Sequence, residues 1–312
     1  MLVSVIIPTY GRPDLLSDAI ESVRAQTYDP VELVVVDDHS PVPVESELDV
    51  AAGDDLRRLR FVRHDENRGA NAARNTGSRA AEGDVLAVLD DDDVWKPTFV
   101  ERVVGAFETA PSEPNVVTTG VESVDGNGEL LSVIRPSFGD DPLDDLLAGE
   151  LAGSFSRFAV RASVVEAAGL PDERFPCWQD WEWQFRLARH GAFHAIPDAL
   201  VVHRIGDHDQ ITDDYEARRD VAYPLFLEKH RDHVAERGRW DERRFLALLS
   251  RSLGQSALRN GYRGEAVRLL AASLRWNPLV PRTLLFFGFA VAGRSGLETA
   301  RSVKQGVVRR LH

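Results

Sequence analysis

The sequence is nearly without sulfur and nearly without lysine. It holds one cysteine, Cys177, and one methionine. A single cysteine excludes an internal disulfide and fits a reducing compartment. Lysine occurs only at Lys96, Lys229 and Lys304, so almost all of the 37 basic residues are arginine, set against 50 acids for a net charge of −13. A nucleic-acid partner requires a clustered basic face, and this balance argues against one. An acidic, lysine-poor surface suits concentrated salt, where screening removes self-repulsion, so a halophilic source is expected. Long apolar runs are also missing. The longest, "LLFFGFAVAG" at 284–293, is about half the ~20 residues a membrane span needs. The N-terminus lacks a basic leader and its apolar run is broken by Pro8, so it reads as a strand and not a signal peptide. A cytoplasmic protein is the expectation.

What is present is enough for a sizeable core: 312 residues, 43% of them hydrophobic. "VSVIIPTY" is a buried-strand signature, and "GRP" breaks it. Pro13 then starts an amphipathic helix over 13–25, with Leu15, Leu16, Ala19, Ile20 and Val23 at helical spacing. "VELVVVDDHS" and "LRFVRHDENRG" give a second and a third strand, "GANAARNTGSRAA" a helix, and "DVLAVLDDDD" a fourth strand. Such alternation predicts an α/β fold with a mostly parallel sheet flanked by helices. Ligands in such sheets sit at the carboxyl ends of the strands. Polar clusters fall at those ends: Thr9 and Tyr10, Asp37 and Asp38, then Asp90 to Asp93. Further on, "VDGNGE" marks a turn, "PCWQDWEWQFRLARH" a tryptophan-rich helix over 176–190, and "HAIPDALVVHRI" a late strand. From about 216 the pattern is helical, including one tetratricopeptide-like pair.

Four consecutive acids at a strand end repel one another, and a bound cation relieves that repulsion. Mg²⁺ typically takes one or two carboxylates plus substrate phosphates. A solvated acidic turn is the plainer alternative. A third is a phosphatase-type motif with Asp90 as nucleophile and Asp92 beside it, which would need a downstream lysine to balance charge. Only Lys229 and Lys304 lie well downstream.

"VSVIIPTYGR", "AQTYDPVELVVVDDHS", "ENRGANAARNTGSRAAEGDVLAVLDDDDVWKP" and "CWQDWEWQFRLARHG" together resemble, in order and spacing, the successive blocks of inverting glycosyltransferase family 2, which has the GT-A fold. The resemblance covers roughly residues 1 to 210. It implies a nucleotide-sugar-binding part over 1–115, an acceptor-binding part over 116–215 and a helical C-terminal extension over 216–312. The cofactors it implies are a nucleotide-sugar donor, a UDP-sugar by preference, and Mg²⁺ or Mn²⁺.

Carried over by position, the resemblance puts Pro8, Thr9, Tyr10 and Arg12 at the nucleotide and has Asp38 accept hydrogen bonds from the base. Asn67, Gly69, Arg74 and Asn75 would border the nucleotide and diphosphate. Asp90 and Asp91 would approach the ribose and the donor sugar, with Asp92 as metal ligand. Asp180 would be the general base, preceded by Gln179 where the family usually has glutamate. A single displacement inverts the anomeric centre, so one carboxylate base suffices. Trp178, Gln179 and Trp181 are the acceptor-side candidates, since indole faces suit a sugar ring, while Trp183 reads as core. His203, Arg204 and His208 follow the late strand. His208 is the preferred second metal ligand, and Arg204 could pair with diphosphate oxygens.

Residues 281–312 carry Arg282, Arg294, Arg301, Lys304, Arg309 and Arg310 against only Glu298. Next to the apolar 284–293 stretch, that basic tail fits an anionic membrane surface, which favours a lipid-linked saccharide acceptor and a peripheral place on the cytoplasmic face. A helix packed on the core with a solvated basic face explains the same pattern. A catalytically silent sugar-binding protein on this fold is the remaining competitor.

Overall fold

The computed structural model describes residues 1–48, 59–206 and 214–293. In chain order the elements are β1 (Val3–Thr9), α1 (Pro13–Arg24), β2 (Val31–Asp37), α2 (Val44–Glu47), β3 (Leu59–Arg63), α3 (Ala70–Ala80), β4 (Val85–Val88), β5 (Asp93–Trp95) and α4 (Phe99–Thr109). They continue with β6 (Val116–Val124), β7 (Leu130–Ile134), α5 (Pro142–Ala148), a 3₁₀ turn at Phe155–Arg157, β8 (Phe158–Arg161), α6 (Ala162–Ala168), α7 (Gln179–Leu187) and β9 (Phe193–Arg204). Last come α8 (Tyr215–Ala217), a π turn, α9 (Tyr223–Glu236), α10 (Arg239–Arg259), α11 (Arg263–Trp276) and α12 (Pro281–Ala292). They fall in two compact units, Met1–Leu146 with Glu150–Asp209, and Leu147–Gly149 with Gln210–His312.

The first unit is an α/β sheet of order β3-β2-β1-β4-β8-β6-β9-β5, with β7 on β6. Strands β1, β2, β3, β4, β6 and β9 run one way, and β5, β7 and β8 run against them. The parallel direction thus dominates, as the strand–helix alternation predicts. The chain leaves β1 for β2 on one side and later returns to β4 on the other, so the order reverses between β1 and β4. The β1–β4 ladder ends at Ile6↔Val88, while β1 stays paired with β2 as far as Thr9↔Asp37. Beyond Ile6, β1 has one neighbour fewer, which is where Pro8, with no N–H to donate, fits. At such a reversal of strand order, sheets of this kind open a crevice for ligands.

Alternation of side chains sends Val3, Val5 and Ile7 to one face, against Leu16, Ala19, Ile20 and Val23 of α1 and Phe99, Val103 and Val104 of α4. Ile6, Leu86 and Val88 face the other way, toward Val164 and Val165 of α6 and Trp183 and Leu187 of α7. Each such side chain contributes about 1.5–3 kcal/mol on burial. Val34 and Val36 meet Ala73 of α3. A Cβ on Gly77 would strike the Ile6 side chain. This glycine costs about 1 kcal/mol of helix propensity, and in return α3 lies directly on β1, with Arg74 one turn earlier at the crevice.

Helix α7 is shorter than the expected 176–190. Trp178 has φ of +58°, a left-handed conformation that cannot extend the helix backward, so α7 begins at Gln179.

The second unit is helical throughout its described elements. Helices α10 and α11 pack through Gly254, whose missing Cβ admits Leu270 and Leu269, and Ser273 Oγ donates to the Ala247 carbonyl at 2.7 Å. On α12, Thr283 and Ala290 are buried, whereas Leu284, Leu285 and Val291 are exposed. No described helix is long and apolar enough to cross a membrane.

Candidate active site

Thr9, the last residue of β1, is buried, and its Oγ1 donates to Asp91 Oδ2 at 2.7 Å across the crevice. Arg12, just before α1, closes on the same acids. Its Nη2 donates to Asp91 Oδ1, and its Nε to Asp91 Oδ2 and Nη1 to Asp92 Oδ2, both at 3.3 Å. Asp91 is 1% exposed. Burial pushes its carboxyl up to about 6, with Asp92 and Asp90 adding to the rise and Arg12 and Thr9 opposing it. Pro8 is buried in β1 and Tyr10 is exposed at the rim.

Arg74 joins the acids to α7. Its Nη2 donates to Asp90 Oδ1 at 2.6 Å and its Nη1 to Gln179 Oε1 at 2.8 Å, while the guanidinium lies over the Phe155 ring at 4.2 Å. One guanidinium therefore touches the strand-end acids and the residue before Asp180. Asp180 Oδ1 accepts the Trp181 N–H at 2.8 Å. Burial pushes the Asp180 carboxyl up, against the Trp181 N–H and the Arg74 charge, and Asp90 adds to the rise. Trp178 is half-buried and meets Trp181 edge-to-face at 5.1 Å. Trp181 itself is buried and supports Trp178 from behind. Trp183 is core, its Nε1 donating to the Gly169 carbonyl at 2.9 Å.

At the end of β2 the acids serve the loops. Asp37 accepts the Ser40 N–H at 2.7 Å, the Val44 N–H at 3.3 Å and an Arg63 N–H. Burial opposes its ionisation, yet these donors hold it below the usual carboxylate range. Asp38 Oδ1 accepts the Arg68 N–H at 2.9 Å and pairs with His64 Nδ1 at 2.7 Å, and Oδ2 accepts the Gly69 N–H at 2.7 Å. The Asn67 amide donates to the Asp38 carbonyl at 3.2 Å. Gly69 has φ of +89°, which a side chain would strain, and it starts α3. Asn75 is buried, its amide donating to the Pro171 carbonyl and Glu173 Oε1 at 2.9 and 2.8 Å. Asp38 and Asn75 thus brace the loops around this sheet edge, while Asp90 to Asp92, Arg12 and Arg74 form an ion-paired cluster after β4.

Asp93 and His203 are register partners of β5 and β9, and His203 Nδ1 meets Asp93 Oδ1 at 2.7 Å. That hydrogen bond, more than burial opposes it, raises the imidazole. Arg204 Nε donates to the Asp92 carbonyl at 2.9 Å and Nη1 to Asp18 Oδ2 at 2.5 Å. His208 lies outside the described residues. Among the described residues no three His, Cys, Asp or Glu converge as a metal shell. A Mg²⁺ or Mn²⁺ that shares a diphosphate needs fewer protein ligands. Asp92 presents a partly exposed carboxylate, ion-paired with Arg12 at 3.3 Å.

Sequence reasoning missed Arg157 and Ser156, which belong to no motif. Ser156 Oγ accepts the Asp90 N–H at 3.0 Å. It also missed His64, which bridges Asp38 to Thr76 Oγ1 at 2.9 Å. The only available hint for these was their polarity between apolar strands.

The profile described as Glycosyl transferase family 2 matches residues 4–162. A Rickettsia felis protein described as an uncharacterized glycosyltransferase is 30% identical over 210 residues, which cover 65% of this chain and 34% of that one. The chain thus spans about a third of that relative's length. A Haloferax volcanii glucosyl-dolichyl phosphate glucuronosyltransferase is 39% identical over 115 residues, 36% of each chain. Among solved structures, residues 1–349 of S. aureus TarS in complex with UDP-GlcNAc superpose with a TM-score of 0.70 at 17% identity, covering 99% of this chain and 92% of that one. That likeness is one of fold, and the fold is GT-A.

Proposed function

Because the chain belongs to glycosyl transferase family 2, we propose that it transfers a sugar from a nucleotide-diphosphate donor to a saccharide or lipid-linked acceptor, with inversion, assisted by Mg²⁺ or Mn²⁺, with Asp180 as general base. The carrying observation is Arg74, hydrogen-bonded to Asp90 at 2.6 Å and to Gln179 at 2.8 Å. Its reach from the acids after β4 to the first residue of α7 supports a leaving group and a base on either side of one guanidinium. On this reading residues 1–115 bind the donor and 116–215 the acceptor, and 216–312 are an extension. The family offers no support for a phosphatase role of Asp90 and Asp92, and Arg74 already neutralises Asp90.

The donor's nucleotide lies along Pro8, Thr9 and Tyr10, bordered by the Asp38-braced loop with Asn67 and Gly69, and by Asn75. Its diphosphate meets the Arg12 and Arg74 guanidiniums, which exchange part of their carboxylate contacts for phosphate oxygens. Asp92, with His208 as second protein ligand, would hold a divalent cation, which would supply further neutralisation of the leaving charge. Asp180 takes the proton of the acceptor hydroxyl as its oxygen attacks the anomeric carbon. The carbon–oxygen bond to the diphosphate breaks and its electron pair leaves with the nucleotide. One displacement inverts the centre. Trp178 and Gln179 flank the acceptor, with Trp181 as the wall behind them.

A uridine nucleotide is the preferred donor class, supported by the UDP-GlcNAc bound to TarS. The Haloferax relative, named for a dolichyl-phosphate substrate, supports a lipid-linked acceptor and a halophilic setting. Exposed Leu284, Leu285 and Val291, with Arg282 on the same helix, support a peripheral contact of residues 281–312 with anionic lipid on the cytoplasmic face. A nucleotide-sugar panel with and without Mn²⁺ tests the core of this reading. A true donor should raise the melting temperature only with metal. Asp180→Asn should keep that shift and lose transfer by at least a thousandfold, and turnover retained in the variant would overturn the base assignment. A silent sugar-binding protein would show the shift and release no nucleotide. Flotation with anionic vesicles, with and without residues 281–312, tests the lipid contact, and identical behaviour of both forms removes it.

A further inference from the structure

The acid cluster after β4 is a tight turn. The Asp93 N–H donates to the Asp90 carbonyl at 3.0 Å, so Asp91 and Asp92 are its two central residues. The neighbours of Asp92 are tied down. Ser156 Oγ accepts the Asp90 N–H, Thr9 and Arg12 hold the Asp91 carboxylate, and Asp93 pairs with His203. The β5–β9 ladder ends at Asp93↔His203, so the Asp92 carbonyl lies one residue past its last rung. A peptide oxygen beyond a ladder is left to water or to a side chain. Arg204, the last residue of β9, donates to this one from Nε at 2.9 Å. The rest of the guanidinium faces α1, with Nη1 donating to Asp18 Oδ2 at 2.5 Å and Nη2 to the Leu15 carbonyl at 3.4 Å. Its stem starts from a fixed place, because Arg204 is in register with Val124 of β6 and the Ile205 N–H donates to the Val124 carbonyl at 2.8 Å. All three of its nitrogens thus meet protein oxygens, a different task from the pairing with diphosphate that the sequence suggested.

We propose that Arg204 is a positioning residue for Asp92, holding its main chain from behind while the carboxylate stays free to change partner. This rests on Asp92 being a cation ligand. The same guanidinium ties that main chain to α1, whose N-terminal flanking residue is Arg12, and Arg12 pairs with the Asp92 carboxylate at 3.3 Å. One side chain therefore spaces Arg12 from the carboxylate that it shares with an incoming cation. A lysine at 204 would keep the charge beside Asp18 and lose the planar fork that reaches a carbonyl and a helix together. Groups that orient a metal ligand in this way typically change metal affinity by about 10–100-fold.

The test is Mn²⁺ binding to the full chain, read from the free-ion signal in electron paramagnetic resonance, with limiting UDP and a protein-free blank subtracted. Arg204→Lys should raise the Mn²⁺ Kd by about tenfold or more. Arg204→Gln, which guards against a lysine variant that does not fold, should do the same. Asp18→Asn removes the charge on α1 and keeps the carbonyl tether, so it should raise the Kd by less than about threefold. Metal-free UDP affinity should stay within about twofold of wild type in all three, and a loss there matching the loss of Mn²⁺ would mark general damage and overturn the proposal. The deciding arm is Asp92→Asn with and without Arg204→Lys. If Arg204 acts through Asp92, the second change adds less than about twofold to the first. A wild-type Mn²⁺ Kd in Arg204→Lys overturns the proposal, as does a full further tenfold loss in the double variant. If Asp92→Asn binds Mn²⁺ as well as the wild type does, or the wild type binds none, the cation reading of Asp92 itself falls and takes the proposal with it.

Discussion

At the end of β2 the chain places Asp37 and Asp38, and at the end of β4 it places Asp90 to Asp93. These ends are alike in residue type and in topological place, and they differ in what satisfies them. The β2 acids have Arg63 and His64 beside them, but accept most of their hydrogen bonds from the backbone N–H groups of Ser40, Val44, Arg68 and Gly69. Those donors are fixed by the chain and cannot leave without unfolding a loop. The β4 acids meet side-chain cations: Asp90 has Arg74, Asp91 and Asp92 have Arg12, and Asp93 has His203. Guanidiniums on rotatable stems can move from carboxylate to phosphate, and a metal can take the carboxylate they leave. Acids held by backbone shape a site, and acids held by side chains remain available for exchange.

The largest effect expected from this contrast is on turnover. Asp92→Asn keeps the shape and the carbonyl that Arg204 holds, so the melting temperature should barely move. On the proposed role of Asp92 as cation ligand, its loss should lower kcat/KM by about a thousandfold, or about 4 kcal/mol. An unchanged kcat/KM would erase the distinction between the two strand ends. Asp37→Asn should act the other way round. It leaves buried donors from Ser40, Val44 and Arg63 facing a weaker acceptor, at a cost of about 2–3 kcal/mol of stability. Donor KM measured on folded protein should change less than twofold. Urea unfolding together with a donor titration separates the two variants.

Much of the fold was legible because its signals are local. Unbroken runs such as "VSVIIPT" and "VELVVVD" can only be buried strands, and they are buried at every position. The acid cluster was legible because four like charges demand compensation. Which cations supply it was not, because Arg12 and Arg74 reach the cluster from 79 and 16 positions away. Asp38 looked identical to a ligand-facing acid in sequence, and only the path of the 64–69 loop reveals that its oxygens meet backbone N–H groups. Trp181 and Trp178 differ in burial because Trp178 adopts a left-handed conformation that no residue pattern announces. Arg157 was invisible for a related reason: its burial depends on the space left by Gly153 and on a carbonyl of β6.

The smallest expected effect is on the pH dependence of stability, and it sets the two ends against each other in sign. Asp37 has its carboxyl lowered in the fold, so at low pH the unfolded chain binds the proton more readily. Its contribution is present above the usual carboxylate range and is lost as pH falls through the lowered folded value. Asp91 has its carboxyl raised to about 6. Below the usual range both states hold the proton. As pH rises toward 6 the unfolded chain releases it first, so this stabilisation is lost across that window, by up to about 3 kcal/mol. In metal-free protein, Asp91→Asn should therefore gain on the wild type between pH 4 and 6 and run parallel to it above 7. Asp37→Asn should lose ground only where the wild type's own carboxylate is ionised, and its deficit should shrink toward pH 3. Chemical denaturation of the three proteins across pH 3–8 reads both trends. An Asp91→Asn curve parallel to wild type from pH 4 to 7 would mean that Arg12 and Thr9 compensate the buried charge in full, leaving the β4 acids as firmly held as those of β2.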